Sequence, residues 1–466
     1  MLVCQALIML GLWLGAGTDP TRNLATMAVF AVLVGVSSAT QDIAIDAWRI
    51  EAADVSRQGA MAAAYQWGYR LATLTAGAAP LLLADAFGWN FSYAIMAALM
   101  VVGVVGVMAA PAEAQHVIRS IHADDIPRTP LGEGMEWAAR LAILALGALL
   151  LGSGLTGQAG ALVQVLTAVG ASGAASAAQS AWSSGARVWI HLLAVLAGFG
   201  VVILAATPMP GARTRPGVYL SAALVDPLRD FFVRYGSTAS LMLALICVYR
   251  IPDFVLNIMN PFYLDLGFTL VEIAEVRKIF GVVMTVLGVF AGGFAVARYG
   301  IVRALVIGAF AGPLSNLAFV WLATRGDSLP ALFVAIGVEN VASGFAGTCL
   351  IAYMSGLTSA AYTATQYALL SSLYAIPGRV LASQSGRIVE GAAASAQAGG
   401  MLAGLSGLFS GLSPGSFAGA LERSGVSPVA LGTGYVTFFA YSALVGIVPI
   451  VLALAILRRE APPPTP

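Results

Sequence analysis

Asp42, Asp46 and Arg49 stand at i, i+4 and i+7 of the run SSATQDIAIDAWRIE, which is otherwise largely apolar. At 100° per residue the three fall on one stripe of a helix, extended by Gly35 and Ser38. A charge at membrane depth costs about 2.5–3.5 kcal/mol even on insertion scales, so the stripe has to face protein or water. Asp46 and Arg49 can pair across one turn, which leaves Asp42 deeper and open to a proton. Two acids and a base so placed suit the uptake and release of protons. A plainer reading, in which the segment only reaches the headgroups, fits Arg49 and Glu51 and does not fit Asp42.

The theme recurs. AYQWGYRLATL puts Gln66, Arg70 and Thr73 on one face, where Arg70 can neutralise Asp42 or Asp46. VYRIPDFVLNIMNPFYLDLG aligns Arg250, Asp253, Asn257 and Asn260, with Pro252 and Pro261 disturbing the helix and baring backbone groups. Glu275 and Lys278 are one turn apart, Glu339 and Asn340 sit near mid-membrane, and Gln366, Tyr367, Ser371, Tyr374 and Arg379 share a late run. For any one of these pairs, an ion pair that only fixes helix packing explains the residues equally well. Acids and bases at membrane depth on several helices of both halves point instead to a lined aqueous pathway, and so to a transporter.

Helices must carry these groups. The chain is 59% hydrophobic and 10% charged, where soluble domains hold about 25% charged residues. Apolar runs long enough for a bilayer recur from end to end and predict an all-α polytopic membrane protein of twelve spans. They cover residues 1–17, 25–50, 59–85, 91–110, 137–153, 188–206, 237–264, 273–298, 301–323, 330–357, 363–389 and 433–457. Short alternating segments of the β-barrel kind do not occur. Two polar linkers, 111–136 and 207–236, and a Gly/Ser/Ala-rich stretch, 390–432, interrupt the spans; the last reads as a flexible outer loop with one interfacial turn near Leu402–Leu412. Segment 154–187 reads as a surface piece.

The net charge of +1 argues against nucleic acid or another acidic partner, and Cys4, Cys247, Cys349 and the three histidines lack metal or haem spacing, so no cofactor is expected. An N-terminus placed inside leaves eleven basic residues in cytoplasmic segments against four outside, which predicts both termini in the cytoplasm. Arginine outnumbers lysine 22 to 1, a bacterial compositional signature, and no cleavable leader is visible.

SATQDIAIDAWRIE and TATQYALLSSLYAIPGRV resemble helices of the AmpG-type muropeptide permeases, a branch of the major facilitator superfamily. GGFAVARYGIVRAL resembles that superfamily's loop signature through Gly293, Arg298, Gly300 and Arg303, with Ala297 where an acid is usual. The likeness covers residues 1–110 and 237–457, and the spans at 137–153 and 188–206 match the branch's two extra helices.

The resemblance implies a helical bundle phased as four, two extra and six spans. Its parts are 1–110 as family helices three to six, 111–236 as linker, 237–457 as the second six-helix bundle, and 458–466 as a tail. The family's first two helices are then expected upstream of Met1, and the chain as written is expected not to transport. The implied activity is proton-driven import of anhydro-sugar muropeptides across the bacterial inner membrane, by a monomer that is not an enzyme, in cell-wall recycling. Arg70 and Arg250 would meet the cargo's carboxylates, while Gln41, Gln66, Asn257, Asn340 and Gln366 would meet hydroxyls and amides. Asp42 or Asp46 would carry the proton in the first half and Asp253 or Glu339 in the second; Lys278 and Arg379 complete the pathway candidates. Two other readings stand: a transporter of the same superfamily for an acyl-coenzyme A, a siderophore or a drug, and a membrane enzyme acting on lipid-linked substrates. The enzyme reading predicts a catalytic cluster in a loop, and adjacent Asp124 and Asp125 do not make one.

Overall fold

A computed structural model describes residues 1–19, 21–112, 125–208, 213–382, 384–409, 411–413 and 415–460. The described residues are helical and contain no strand. Nine helical stretches among them are long and apolar enough to cross a bilayer, and Leu2–Ala16 is apolar but shorter. The helices used below are α1 (Leu2–Ala16), α2 (Leu24–Glu51), α3 (Gln58–Phe87), α4 (Trp89–Ala109), α5 (Pro130–Thr156), α6 (Arg187–Ala206), α7 (Ala239–Tyr249), α8 (Met259–Leu266), α9 (Gly281–Tyr299), α10 (Ile301–Ala323), α11 (Leu329–Leu357), α12 (Thr363–Ala382), α13 (Ser385–Gln397), α14 (Pro428–Val445) and α15 (Ile447–Glu460).

Contacts divide the chain into two compact units: one of Met1–His116, Leu241–Tyr374 and Arg387–Pro466, the other of Val117–Ser240 and Ala375–Gly386. In the first unit α1 packs on α2 and α4, while α3 packs on α9 and α11. Small residues make this close approach possible. A Cβ on Gly59 of α3 would stand 2.7 Å from Val296, and one on Gly293 of α9 would stand 2.9 Å from Ala63. The α9–α11 crossing is tighter still, since a Cβ on Gly344 would come within 2.4 Å of the Thr285 carbonyl oxygen. Packing of this kind supplies helix association where lipid removes the hydrophobic drive. Gly344→Val should therefore lower the melting temperature of the purified protein by about 5 °C or more. Gly35→Ala, at a position with nothing within 4 Å, should not lower it; scanning calorimetry of both variants checks the contrast.

The helix break expected at Pro252 and Pro261 is present. Between α7 and α8 the chain runs as a 3₁₀ stretch, Ile251–Ile258, and the Asn316 amide donates to the Pro252 carbonyl at 3.1 Å. Segment 390–432 differs from the flexible loop expected. The helix α13 runs to Gln397, a 3₁₀ stretch Met401–Phe409 packs against α14, and Ala420–Ser424 adds a further turn. Two phenylalanines explain the order. Phe409 and Phe417 are buried, Phe417 stacks on Tyr435, and its amide donates to the Asp265 carbonyl. Tyr435 in turn donates to the buried Asp265 carboxylate at 2.6 Å. Segment 154–187 is likewise helical over Gly160–Ala168 and Ser172–Ser183.

The second unit pairs α5 with α6. Glycines again set the approach: a Cβ on Gly154 would lie 2.7 Å from the His191 carbonyl oxygen. Buried Arg140 bonds Glu136 at 2.8 Å and donates to the Ala205 and Thr207 carbonyls, which satisfies the end of α6.

Candidate functional site

The polar residues of the first unit gather around α11. Glu339, Ser343 and Gly347 stand one turn apart on this helix as polar or open positions, and Ser355 follows two turns on, beyond the apolar Ile351, so that the four span about 24 Å. At its centre, absence of a side chain at Gly347 makes room for two others. A Cβ there would lie 2.9 Å from the Gln66 amide nitrogen and 3.0 Å from an Arg250 nitrogen. Arg250 pairs with Asp253 one turn on and donates to the Ser343 carbonyl at 3.3 Å. The proline break between α7 and α8 is what aims this pair at α11.

Glu339 lies within electrostatic reach of Asp253, Arg277, Arg70 and Arg250. Arg70 from α3 lies within reach of Arg250 and Asp253 as well, and its Nε is buried without a hydrogen-bond partner. Three guanidinium groups thus face two carboxylates, an excess of positive charge. Asn340 steadies the acid: its amide donates to Glu339 at 2.9 Å and to the Ile336 carbonyl at 2.9 Å, and its oxygen accepts from Thr285 at 2.7 Å. Arg277 bonds Asn260 and lies over the Tyr263 ring, 5.7 Å from its centroid.

A second cluster lies about two helical turns further along α11. Arg49 is buried at 3% exposure, paired with Asp46 at 3.3 Å, and donates to Ser355 Oγ at 3.2 Å. Its guanidinium sits over the rings of Tyr65 and Tyr367, 5.2 and 5.3 Å from their centroids. The headgroup reading of Arg49 therefore fails, because the residue is enclosed by four helices.

Of the sequence candidates, Gln66, Arg70, Arg250, Asp253, Glu339 and Asn340 come together, and Asp46 joins the Arg49 cluster. The rest separate. Asp42 is exposed, one turn from Asp46. Gln41 turns away from the stripe and lines a different cleft of about 550 Å³ with Gln5, Trp48 and Gly103, between α1, α2 and α4. Asn257 and Lys278 are exposed. Gln366 is buried but accepts from the Ser359 amide at 2.7 Å, closing the turn between α11 and α12. The side chain of Arg379 lies outside the described residues.

Two residues escaped the sequence reading. Arg277 takes the place expected for Lys278, because Glu275–Phe280 winds as a π-helix and shifts the register. Tyr65 was unremarked beside Gln66; it stands about 100° round α3 from Gln66 and meets Arg49 instead. Among the described residues no group of three or more His, Cys, Asp or Glu is placed to hold a metal.

No protein-family model matches the chain. Curated relatives do. A transporter named AmpG 4 from Rickettsia conorii is 25% identical over 393 residues, 84% of this chain and 72% of that protein. The anhydromuropeptide permease of Escherichia coli K12 is 26% identical over 383 residues, 82% of this chain and 58% of that protein. The transporter AmpG 1 from Rickettsia felis is 35% identical over a shorter stretch of 150 residues, 32% of this chain. Apolar helices, a charged interior and likeness over four-fifths of the sequence lead to one assignment. The chain is a multi-pass helical membrane transporter, similar over four-fifths of its length to the AmpG-type permeases.

Proposed function

We propose that the chain provides the cargo and proton sites of a permease that moves anhydromuropeptides across the bacterial inner membrane, coupled to protons, as a monomer with both termini in the cytoplasm and no catalytic step. The observation that carries this reading is a group of three guanidiniums and two acids within electrostatic reach of one another at Glu339, drawn from α3, the Arg250–Asp253 break, the turn at Arg277 and α11. A muropeptide offers carboxylates for guanidinium forks and hydroxyls and amides for Gln66. The name of the Escherichia coli relative supports the cargo. Arg70 and Arg250 hold the carboxylates, and Asp46 and Glu339 carry protons, with Asp42 and Asp253 as their neighbours in the relay. The spans are phased as four (1–110), two extra (111–236) and six (237–457).

Equilibrium binding of labelled anhydromuropeptide to the purified protein in lipid nanodiscs tests the cargo. Saturable binding is expected, displaced by unlabelled muropeptide and not by an acyl-coenzyme A or a siderophore. Displacement by either of those, or no saturable binding, would overturn the assignment.

A further inference from the structure

Arg49 is the point where the two sequence halves of the first unit are tied together. Its ion pair runs to Asp46 on its own helix, its Nη2 donates across to Ser355 on α11, and its planar face lies over Tyr65 of α3 and Tyr367 of α12. Four helices, two from before residue 110 and two from after residue 237, thus meet on one guanidinium. We propose that Arg49 is the latch closing this end of the passage, and that a proton on Asp46 releases it. The proposal deepens the proton-coupled reading and rests on it.

The physical case is one of charge. A buried guanidinium is tolerated because a carboxylate faces it, and removing one partner of such a pair leaves an uncompensated charge at a heavy cost. A serine hydroxyl and two ring faces are weaker compensation than a carboxylate. With Asp46 neutral, Arg49 is therefore better placed in water than among the four helices, and leaving separates α2 and α3 from α11 and α12. The closed arrangement is already incompletely satisfied, since Arg49 Nη1 is buried without a hydrogen-bond partner. The groups facing Arg49 are Asp46 and, one turn away, Asp42 on α2, Tyr65 on α3, the uncharged Ser355 on α11, and Tyr367 on α12 with Tyr374 beyond it. Tyrosines stay neutral across the physiological range, so the two aspartates are where the charge changes. Asp46 touches the guanidinium and Asp42, which is exposed, does not.

The test is a distance across the latch in the intact chain. Spin labels go on Asp54→Cys and Ala361→Cys, both exposed in the turns that follow α2 and α11. The background carries Cys4→Ala, Cys247→Ala and Cys349→Ala, and the protein is held in nanodiscs without cargo. At pH 8 one short distance is expected, giving way on acidification to a population longer by about one helical turn, ~5 Å. Asp46→Asn should show the long distance at every pH. Arg49→Met should reverse the pH response, because now the lone Asp46 charge is the misfit and acidification cures it. The double variant Asp46→Asn/Arg49→Met should return to the short distance, since a thioether packs well between two rings and no charge is left buried. A short distance in Asp46→Asn at every pH overturns the latch. A long distance in the double variant overturns the charge mechanism and leaves Arg49 as a packing residue. If Arg49→Met does not run as a single species on gel filtration, Asp46→Asn alone decides. None of these readings uses cargo, so a failure of muropeptide binding and a failure of the latch are separate results.

Discussion

Arg70→Ala weakens cargo binding roughly 30- to 1,000-fold and leaves the fold as stable as before. Arg70 is the surplus cation of the cluster: it lies near Arg250, a like charge, and its Nε has no hydrogen-bond partner within the protein. Its removal strands no acid, because Asp253 keeps its pair with Arg250 and Glu339 keeps Arg277 and Arg250 in reach. What is lost is a charge-assisted fork for the cargo's carboxylate. Losing one partner of a buried charge pair costs about 2–4 kcal/mol, or roughly 30- to 1,000-fold in affinity. Lysine should not restore it, since an ammonium cannot make the paired contact of a guanidinium. Titration calorimetry and a melting curve on Arg70→Ala, Arg70→Lys and Arg250→Ala separate the roles. Arg250→Ala should lose both binding and stability, because it leaves Asp253 unpaired. Unchanged affinity in Arg70→Ala would remove that residue from the cargo site.

Glu339→Gln removes the pH dependence of cargo binding. The sign follows from charge. A bound carboxylate and ionised Glu339 repel one another, so the occupied site holds more protons than the empty one, and affinity rises as pH falls. For one linked proton the gain reaches about tenfold per pH unit. Glutamine keeps the shape and can still accept from the Asn340 amide that holds Glu339 at 2.9 Å, so cargo binding itself should survive. Affinity measured from pH 5.5 to 8 should slope in the parent protein and run flat in the variant. An identical slope in both would move the coupling to Asp46 or Asp253.

Much of this architecture was legible in the sequence, because apolar length and the i, i+3 spacing of charge are properties of the chain itself. The pairs Asp46–Arg49 and Arg250–Asp253 were readable for that reason. What was not legible depends on departures from regular helix. The π-turn at Glu275–Phe280 swapped Lys278 for Arg277. Helix phase at atomic detail turned Gln41 toward α1 and α4, although it is adjacent to Asp42. Gln366 looked like a pathway residue and is spent on a turn, because a glutamine next to a helix start closes a turn as readily as it meets a solute. The order of 401–409 and 415–425 hangs on Phe417 and Tyr435, whose partners lie far off in sequence.

The central idea is that charged side chains from different helices share one wet path along α11. Labelling of single cysteines by a charged, membrane-impermeant thiol reagent tests it most directly. Ser343→Cys, beside the Arg250 contact, should be modified and should be protected by bound cargo. Val338→Cys, on another face of the same helix and 45% exposed, should resist because it stands in an apolar cleft with Phe280, Phe333 and Val334, where a charged reagent is poorly solvated. Reaction at Val338→Cys with none at Ser343→Cys would contradict the account.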